Sequence, residues 1–182
     1  DCEDLLPGYL RFMRGVVDSE DLPLNISREM LQNNPVMTSI RNAVTKRVLK
    51  ELEKKAKKDV EGYNKFWQVF GSVLKEGIYE DFSRRDQILK MSRFESTADR
   101  ELIGLEDYVG RMNEGQNTIY YITADSLAAA KRSPQLEGFK AKNIEVLYMV
   151  DPVDEFWLQM VPEFEGKKFA SVTRGSSDLD EK

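Results

Sequence analysis

Apolar side chains recur every three or four residues through a long stretch that begins at Pro35. Because the α-helix repeats every 3.6 residues, this spacing gathers them on one side of a helix. We therefore predict one long helix over residues 35–57 and a second over 59–75, with Asp59 as its N-cap. The predicted apolar stripe of the first helix is Met37, Ile40, Val44, Val48 and Leu52. The predicted buried face of the second is Tyr63, Phe66, Trp67, Phe70, Val73 and Leu74.

Shorter elements flank these two helices. Residues 5–12 are predicted to form a helical turn, and residues 15–19 a short strand. After the second helix, we predict a third helix over 81–91 and a short one over 105–112. The stretch between them, 96–104, is mostly polar and is predicted to be a link.

The pattern changes to β-rich runs in the last third of the chain. Residues 118–123, 144–150 and 169–173 are rich in apolar, aromatic or β-branched side chains, which predicts three strands. Helices are predicted around them at 126–132, 135–140 and 154–161. A βαβαβ order implies a small parallel sheet with right-handed crossovers, covered by helices. We therefore predict an α/β fold, with a helical connector followed by a small three-layer βαβαβ unit.

Composition excludes several classes of function. The 182 residues include no histidine, which removes histidine-based acid–base catalysis and histidine metal sites. The only cysteine is Cys2, so no internal disulfide can form, and no metal site is predicted. The net charge of −5 argues against nucleic-acid binding. The chain contains no apolar run long enough to predict a membrane helix, and we expect a cytoplasmic protein.

The segment 22–32 carries the most informative pair of polar residues. Ser27 is a good N-cap, and Arg28 and Gln32 lie four residues apart, so their side chains point the same way on a helical turn. A guanidinium at such a junction can donate a fork of hydrogen bonds to phosphate. On composition alone, Arg28 could equally pair with Glu29 or cap nearby carbonyls. No phosphate-binding glycine motif occurs, so this element would complete a site built elsewhere.

The same region resembles a known family. Residues 15–32, GVVDSEDLPLNISREMLQ, are similar to the signature of the ninety-kilodalton heat-shock chaperones. Later blocks resemble later blocks of that family in the same order: 63–67, 74–78, 93–97, 105–109, 119–123, 145–149 and 163–167. The resemblance covers nearly the whole chain and is greatest to the bacterial branch.

The resemblance implies a fragment of the family's middle domain. Residues 1–57 would be the terminal piece of a larger α/β subdomain, and its strand near Val16 and Val17 would expose an edge or apolar surface. Residues 58–115 would be the helical connector, 116–175 the small α/β subdomain and 176–182 a flexible linker. The full protein would be a homodimeric, ATP-driven clamp, whose nucleotide pocket and dimerisation domain lie outside this fragment.

The resemblance also implies a role for Arg28 in ATP hydrolysis. It would reach the γ-phosphate of ATP, held with Mg²⁺ by the separate N-terminal domain, as an arginine finger does. Gln32 and Asn25 would support the same loop. The fragment itself would bind no cofactor and would not be catalytic alone.

Two surfaces are candidate partner sites. In bacterial members of the family, residues matching Glu155, Phe156 and Gln159 lie on a surface for unfolded client proteins. Trp157 is the neighbouring aromatic, and either aromatic could face the client; alternatively, Trp157 and Met160 fill the core.

The basic end of the long helix is the second candidate surface. The resemblance makes Lys46 and Arg47 candidate contacts for the seventy-kilodalton heat-shock chaperone, although a solvated helix face explains the same charges. The competing interpretation of the whole chain is a helical–α/β interaction module with no nucleotide role.

Overall fold

A computed structural model of the chain describes residues 3–20, 34–98 and 101–175. The chain divides into two compact units, Asp1–Gly77 and Ile78–Lys182. The first unit is helical, and the second contains the sheet. The predicted boundaries after residues 57 and 115 stay predictions.

Two long helices dominate the first unit, at the positions that the sequence predicts. Helix α1 spans Pro35–Lys58, and the N–H of Val36 donates to Oδ1 of Asn34 over 2.9 Å at its start. Helix α2 spans Val60–Lys75, and the N–H of Gly62 donates to Oδ1 of Asp59 over 3.0 Å. Side-chain oxygens thus satisfy N–H groups that have no partner within a helix, which is why both helices begin where they do.

The buried side of α1 is rotated from the predicted stripe. Ile40, Val44 and Val48 are only half-buried, whereas Leu49 is completely buried. The buried residues are Met37, Thr45, Leu49, Leu52 and Ala56. Thr45 is tolerated there because its hydroxyl donates to the carbonyl of Arg41 over 2.7 Å. Hydrophobicity alone therefore does not select the buried side of α1, which packs against α2 and the turn Glu3–Leu5.

The buried face of α2 is confirmed at its centre. Tyr63, Trp67 and Leu74 are buried, as predicted. Phe66, Phe70 and Val73 are half-buried, so the predicted face is wider than the observed one. The ring of Phe12 packs against Phe66 and Phe70, with centroid distances of 5.4 and 4.9 Å.

The predicted strand at residues 15–19 is absent from the structure, and the helical turn over 5–12 is shorter than predicted. Single 3-10 turns at Glu3–Leu5 and Gly8–Leu10 precede a stretch without regular secondary structure that pairs with no strand among the described residues. A strand needs a neighbour for its backbone hydrogen bonds, and β-branched residues alone do not supply one. Val16 and Val17 are 96% and 40% exposed, so the expected exposed apolar surface is confirmed.

The second unit is built on one five-stranded mixed sheet with the order β1-β3-β2-β5-β4. Its strands are β1 at Glu95–Ser96, β2 at Thr118–Thr123, β3 at Val146–Met149, β4 at Glu163–Phe164 and β5 at Lys167–Ser171. The central strand β2 runs parallel to both β3 and β5, which confirms the three predicted strands and their direction. The two edge strands, β1 and β4, are antiparallel to their neighbours and were not predicted.

Each edge strand has only two residues, too few to show an alternating pattern. The prediction of a polar link over 96–104 is wrong at both ends, because residues there take part in strand pairing. Ser96 belongs to β1 and pairs with Leu147, and Ile103 forms an antiparallel bridge with Phe94. Strand β5 also begins and ends two residues earlier than predicted, at Lys167 and Ser171.

Short helices precede, separate and follow the strands along the chain. They are α3 at Gly77–Glu80, α4 at Arg85–Met91, α5 at Leu105–Gly110, α6 at Leu127–Lys131, α7 at Glu137–Ala141, α8 at Pro152–Met160 and α9 at Val172–Gly175. The 3-10 turns Phe82–Arg84 and Pro134–Leu136 replace the first residues of two predicted helices. A core of Tyr120, Ile122, Ala130, Leu136, Phe139, Val146, Tyr148 and Val172 lies against the sheet. The predicted α/β class is confirmed, because the fold combines helices with a five-stranded mixed sheet.

Candidate functional site

Three of the predicted site residues lie outside the described residues. Arg28, Gln32 and Asn25 all fall in the stretch 21–33. Their predicted roles at the phosphate stay predictions.

Helix α8 carries the predicted client-binding residues and begins with a capping box. Pro152 occupies its first position, and the N–H of Asp151 donates to Oδ2 of Asp154 over 3.2 Å. The other carboxylate oxygen, Oδ1 of Asp154, accepts a hydrogen bond from Nε1 of Trp157 over 2.8 Å. Asp154 is 1% exposed, so this carboxylate is a buried anchor for the indole.

Trp157 is a core residue, which corrects its prediction as a client contact. It is fully buried, and its ring packs at 6.2 Å from that of Phe94 and edge-on at 5.5 Å from that of Phe169. The hydrogen bond to Asp154 turns the indole inward, one helical turn from the cap. An indole in this position cannot contact a client without local unfolding.

Phe156 is the aromatic residue on the surface. It is 62% exposed, Met160 is 49% exposed, and Glu155 and Gln159 are exposed as well. These four residues, one helical turn apart in pairs, form what we call the α8 face. Met160 is therefore not the core residue that one alternative expected.

The basic residues of α1 lie on its solvent side. Lys46 and Arg47 are both exposed, and Nη2 of Arg47 lies 3.0 Å from Oε1 of Glu51, one turn along the helix. With 72% and 47% of the two side chains exposed, this ion pair contributes little stability. The geometry fits both a solvated helix face and a partner surface.

A buried polar junction around Glu145 was missed by the sequence analysis. Oε1 of Glu145 accepts hydrogen bonds from Oγ of Ser96 at 2.6 Å and Nη2 of Arg111 at 2.9 Å. The hydroxyl of Tyr108 donates to the carbonyl of Glu145 over 2.7 Å and accepts the N–H of Tyr120 over 3.1 Å. These groups come from sequence positions far apart, so no local pattern marks them. The junction connects α5, β1, β2 and β3.

Two groups of this junction have shifted pKa values. Burial raises the pKa of the Tyr108 hydroxyl to about 12, although hydrogen bonds from Tyr120 and Gln116 act in the opposite direction. Arg111 also has a raised pKa, chiefly because it donates to Glu145. Both groups keep their ordinary protonation state at neutral pH, which suits a structural role.

Comparison with known proteins identifies the family. The family model described as Hsp90 protein matches residues 1–182, the whole chain. The chain belongs to the Hsp90 family. The resemblance on which the sequence analysis relied is therefore confirmed at the level of the family.

Curated relatives place this Hsp90 sequence in the bacterial HtpG branch. It is 58% identical to the chaperone protein HtpG of Roseobacter denitrificans over 97% of this chain and 28% of that protein. It is also 58% identical to HtpG of Paramagnetospirillum magneticum, over 98% of this chain and 29% of that protein. The HtpG of a Wolbachia species from Brugia malayi is 54% identical over 99% of this chain. The chain thus spans less than a third of the length of these relatives.

The described part of this Hsp90 chain has neither a candidate metal cluster nor a membrane-spanning helix. Residues 3–20, 34–98 and 101–175 contain no group of three or more acidic or cysteine side chains placed to hold a metal ion. Over the same ranges, no helix has the length and apolar character needed to cross a bilayer.

Proposed function

We propose that this chain is a middle-domain segment of an ATP-dependent molecular chaperone. The full protein would be a homodimer in the cytoplasm that binds unfolded or partly folded clients. The observation that carries the proposal is the match of the Hsp90 model to all 182 residues. The chain is also 58% identical in sequence to two proteins named chaperone protein HtpG.

Arg28 is the proposed chemical contribution of this segment. Its guanidinium would place positive charge where negative charge develops on the transferred phosphoryl group, and only when the domains close. Gln32 and Asn25 would hold the Arg28 loop in position. ATP and Mg²⁺ would be held by a separate N-terminal domain.

The test of this role is ATP turnover and ATP affinity of the full-length protein carrying Arg28→Ala. Turnover should fall by about tenfold or more, with affinity nearly unchanged, because the charge acts on the transition state. Arg132→Ala, at an exposed arginine that follows α6, is the matched control and should change neither quantity. Unchanged turnover in Arg28→Ala would contradict the role and favour the alternative, an interaction module without nucleotide chemistry.

The α8 face is the proposed client-binding surface. Phe156 and Met160 offer exposed apolar area, and Glu155 and Gln159 add polar contacts beside them. Flexible methionine and aromatic side chains suit a surface that binds many different sequences. Trp157 supports this face from inside, through its hydrogen bond to Asp154.

Client binding is tested with a chemically unfolded, carboxymethylated protein and two matched variants. Phe156→Ser removes an exposed ring and should weaken binding severalfold. Val69→Ser, at a residue that is 67% exposed in the other unit, should leave binding unchanged. Equal binding by both variants and the parent would show that the α8 face is not the client surface.

The basic surface of α1 has weaker support as a partner site than the α8 face has. We propose Lys46 and Arg47 as contacts for the seventy-kilodalton heat-shock chaperone system, because both are exposed and cationic. Exchanging both for glutamate in the full-length protein should weaken that association, most clearly at low salt. Association that is unchanged at low salt would leave these residues as a solvated helix face.

A further inference from the structure

The exposed ring of Phe156 contacts an aromatic side chain that lies outside α8. The ring of Tyr79, in α3, lies 6.3 Å from that of Phe156, centroid to centroid, with an angle of 41° between the ring planes. This separation lies in the range of about 4.5–7 Å over which aromatic rings attract one another. The two residues are far apart in the sequence, and the fold of the second unit brings them together.

The segment that carries Tyr79 is anchored. Ile78, the residue before it, is completely buried, and its carbonyl accepts a hydrogen bond from Nε of Arg85 over 2.7 Å. Tyr79 itself is half-buried. Its ring is therefore presented from a fixed stretch of backbone, and it is a firm neighbour for a more exposed side chain.

The backbone of Phe156 is fixed as well, because the next residue, Trp157, is fully buried and donates from Nε1 to Oδ1 of Asp154 over 2.8 Å. The freedom that remains to Phe156 is rotation of its side chain, which is fast for exposed residues. Rotation away from Tyr79 would lose the attraction between the rings. Contact with Tyr79 therefore restricts the orientation of Phe156 while 62% of that residue stays exposed.

We propose that Tyr79 is a positioning residue for client binding, whose ring holds that of Phe156 in the orientation that receives an apolar segment of an unfolded client. The inference rests on the proposed client-binding role of the α8 face and adds to it a residue outside α8. Tyr79 acts through Phe156, because a ring that is ordered before binding loses less conformational entropy when the client binds.

Fluorine NMR of the full-length protein, with para-fluorophenylalanine in place of Phe156, measures the ring orientation without any client. Tyr79→Leu keeps an apolar side chain but removes the aromatic ring and its ring current. The fluorine resonance should therefore move towards its position in the unfolded protein. Tyr79→Phe keeps the ring and should leave the resonance in place. A resonance that Tyr79→Leu does not move would overturn the inference.

Binding of a carboxymethylated, unfolded protein to full-length variants tests the functional part as a double-mutant cycle. Tyr79→Leu should weaken binding about threefold when Phe156 is present, and should have no effect in the Phe156→Ser background. Tyr79→Phe should bind as the parent does. Phe66→Leu is the matched control, because Phe66 is also half-buried and contacts other rings but belongs to the other unit, and it should leave binding unchanged.

The outcomes separate this inference from the proposed function. Binding that Phe156→Ser does not change would overturn both. Weaker binding in Phe156→Ser without any change in Tyr79→Leu would leave the α8 face as the client surface and overturn the role of Tyr79. Equal weakening by Tyr79→Leu with and without Phe156 would show that Tyr79 acts independently, which also overturns its positioning role. If circular dichroism shows that Tyr79→Leu loses the fold, Tyr79→Met, with its longer apolar side chain, takes its place.

Discussion

Removing the hydroxyl of Tyr108 should change how the stability of the second unit depends on pH. The side chain is 1% exposed, and its hydroxyl both donates to the carbonyl of Glu145 and accepts the N–H of Tyr120. Tyr108→Phe keeps the ring and deletes only these bonds. Leaving a buried N–H and a carbonyl without their partner costs about 1–3 kcal/mol, so the variant should be less stable by that amount at pH 7.

The sign of the pH effect follows from the raised pKa of Tyr108. The folded chain holds the hydroxyl at a pKa of about 12, against 10.0 for an exposed tyrosine, so folding favours the protonated form. This contribution to stability is fully present below pH 10 and is lost as the pH rises towards 12. Integrated over that interval it amounts to about 2.7 kcal/mol, and about 1.4 kcal/mol of it is lost by pH 11.

The measurement is the free energy of unfolding from urea titrations at a series of pH values between 7 and 11. The parent chain and Tyr108→Phe should converge as the pH rises, because only the parent loses this contribution. Tyr121→Phe is the comparison variant, because Tyr121 lies outside the junction. The side chain of Tyr121 is half-buried, and burial is the main cause of the raised pKa of its hydroxyl. Parallel curves for the parent and Tyr108→Phe, with a constant gap up to pH 11, would refute the reasoning.

Three further predictions concern packing and helix capping, and urea titration tests each of them. Trp157→Ala should destabilise the second unit by about 3–5 kcal/mol because it empties a fully buried site. Phe156→Ala should cost under about 1 kcal/mol because that ring is 62% exposed. Similar losses of stability in the two variants would contradict the assignment of Trp157 to the core. Gly71→Ala should destabilise α2 by about 1–3 kcal/mol despite the better helix propensity of alanine, since its Cβ would lie 2.5 Å from the buried ring of Trp67; a gain in stability would contradict this. Asn34→Ala should cost about 1 kcal/mol through loss of the N-cap of α1, and restoration by Asn34→Ser would confirm the capping role.

Local sequence patterns determined the long elements of this protein. The bounds of α1 and α2 follow from the capping residues Asn34 and Asp59 together with a 3.6-residue period, and both depend on neighbours within one helical turn. Strands β2 and β3 follow from β-rich or apolar runs of four or more residues, whereas β5 has only Phe169 and Ala170 as apolar residues and was predicted two residues too late. The family followed from blocks of sequence in a fixed order, which need no structure to be recognised.

Tertiary structure alone decided which side of each element is used. Phe156 and Trp157 are adjacent and both aromatic, and Trp157 is the buried one, with its ring packed against Phe94 and Phe169 from distant parts of the chain. In the same way, Leu49 is buried where the sequence pattern favoured Val48, and pairing with β3 makes the two-residue segment Glu95–Ser96 an edge strand. These outcomes depend on contacts between residues far apart in the chain, and a local pattern carries no information about them.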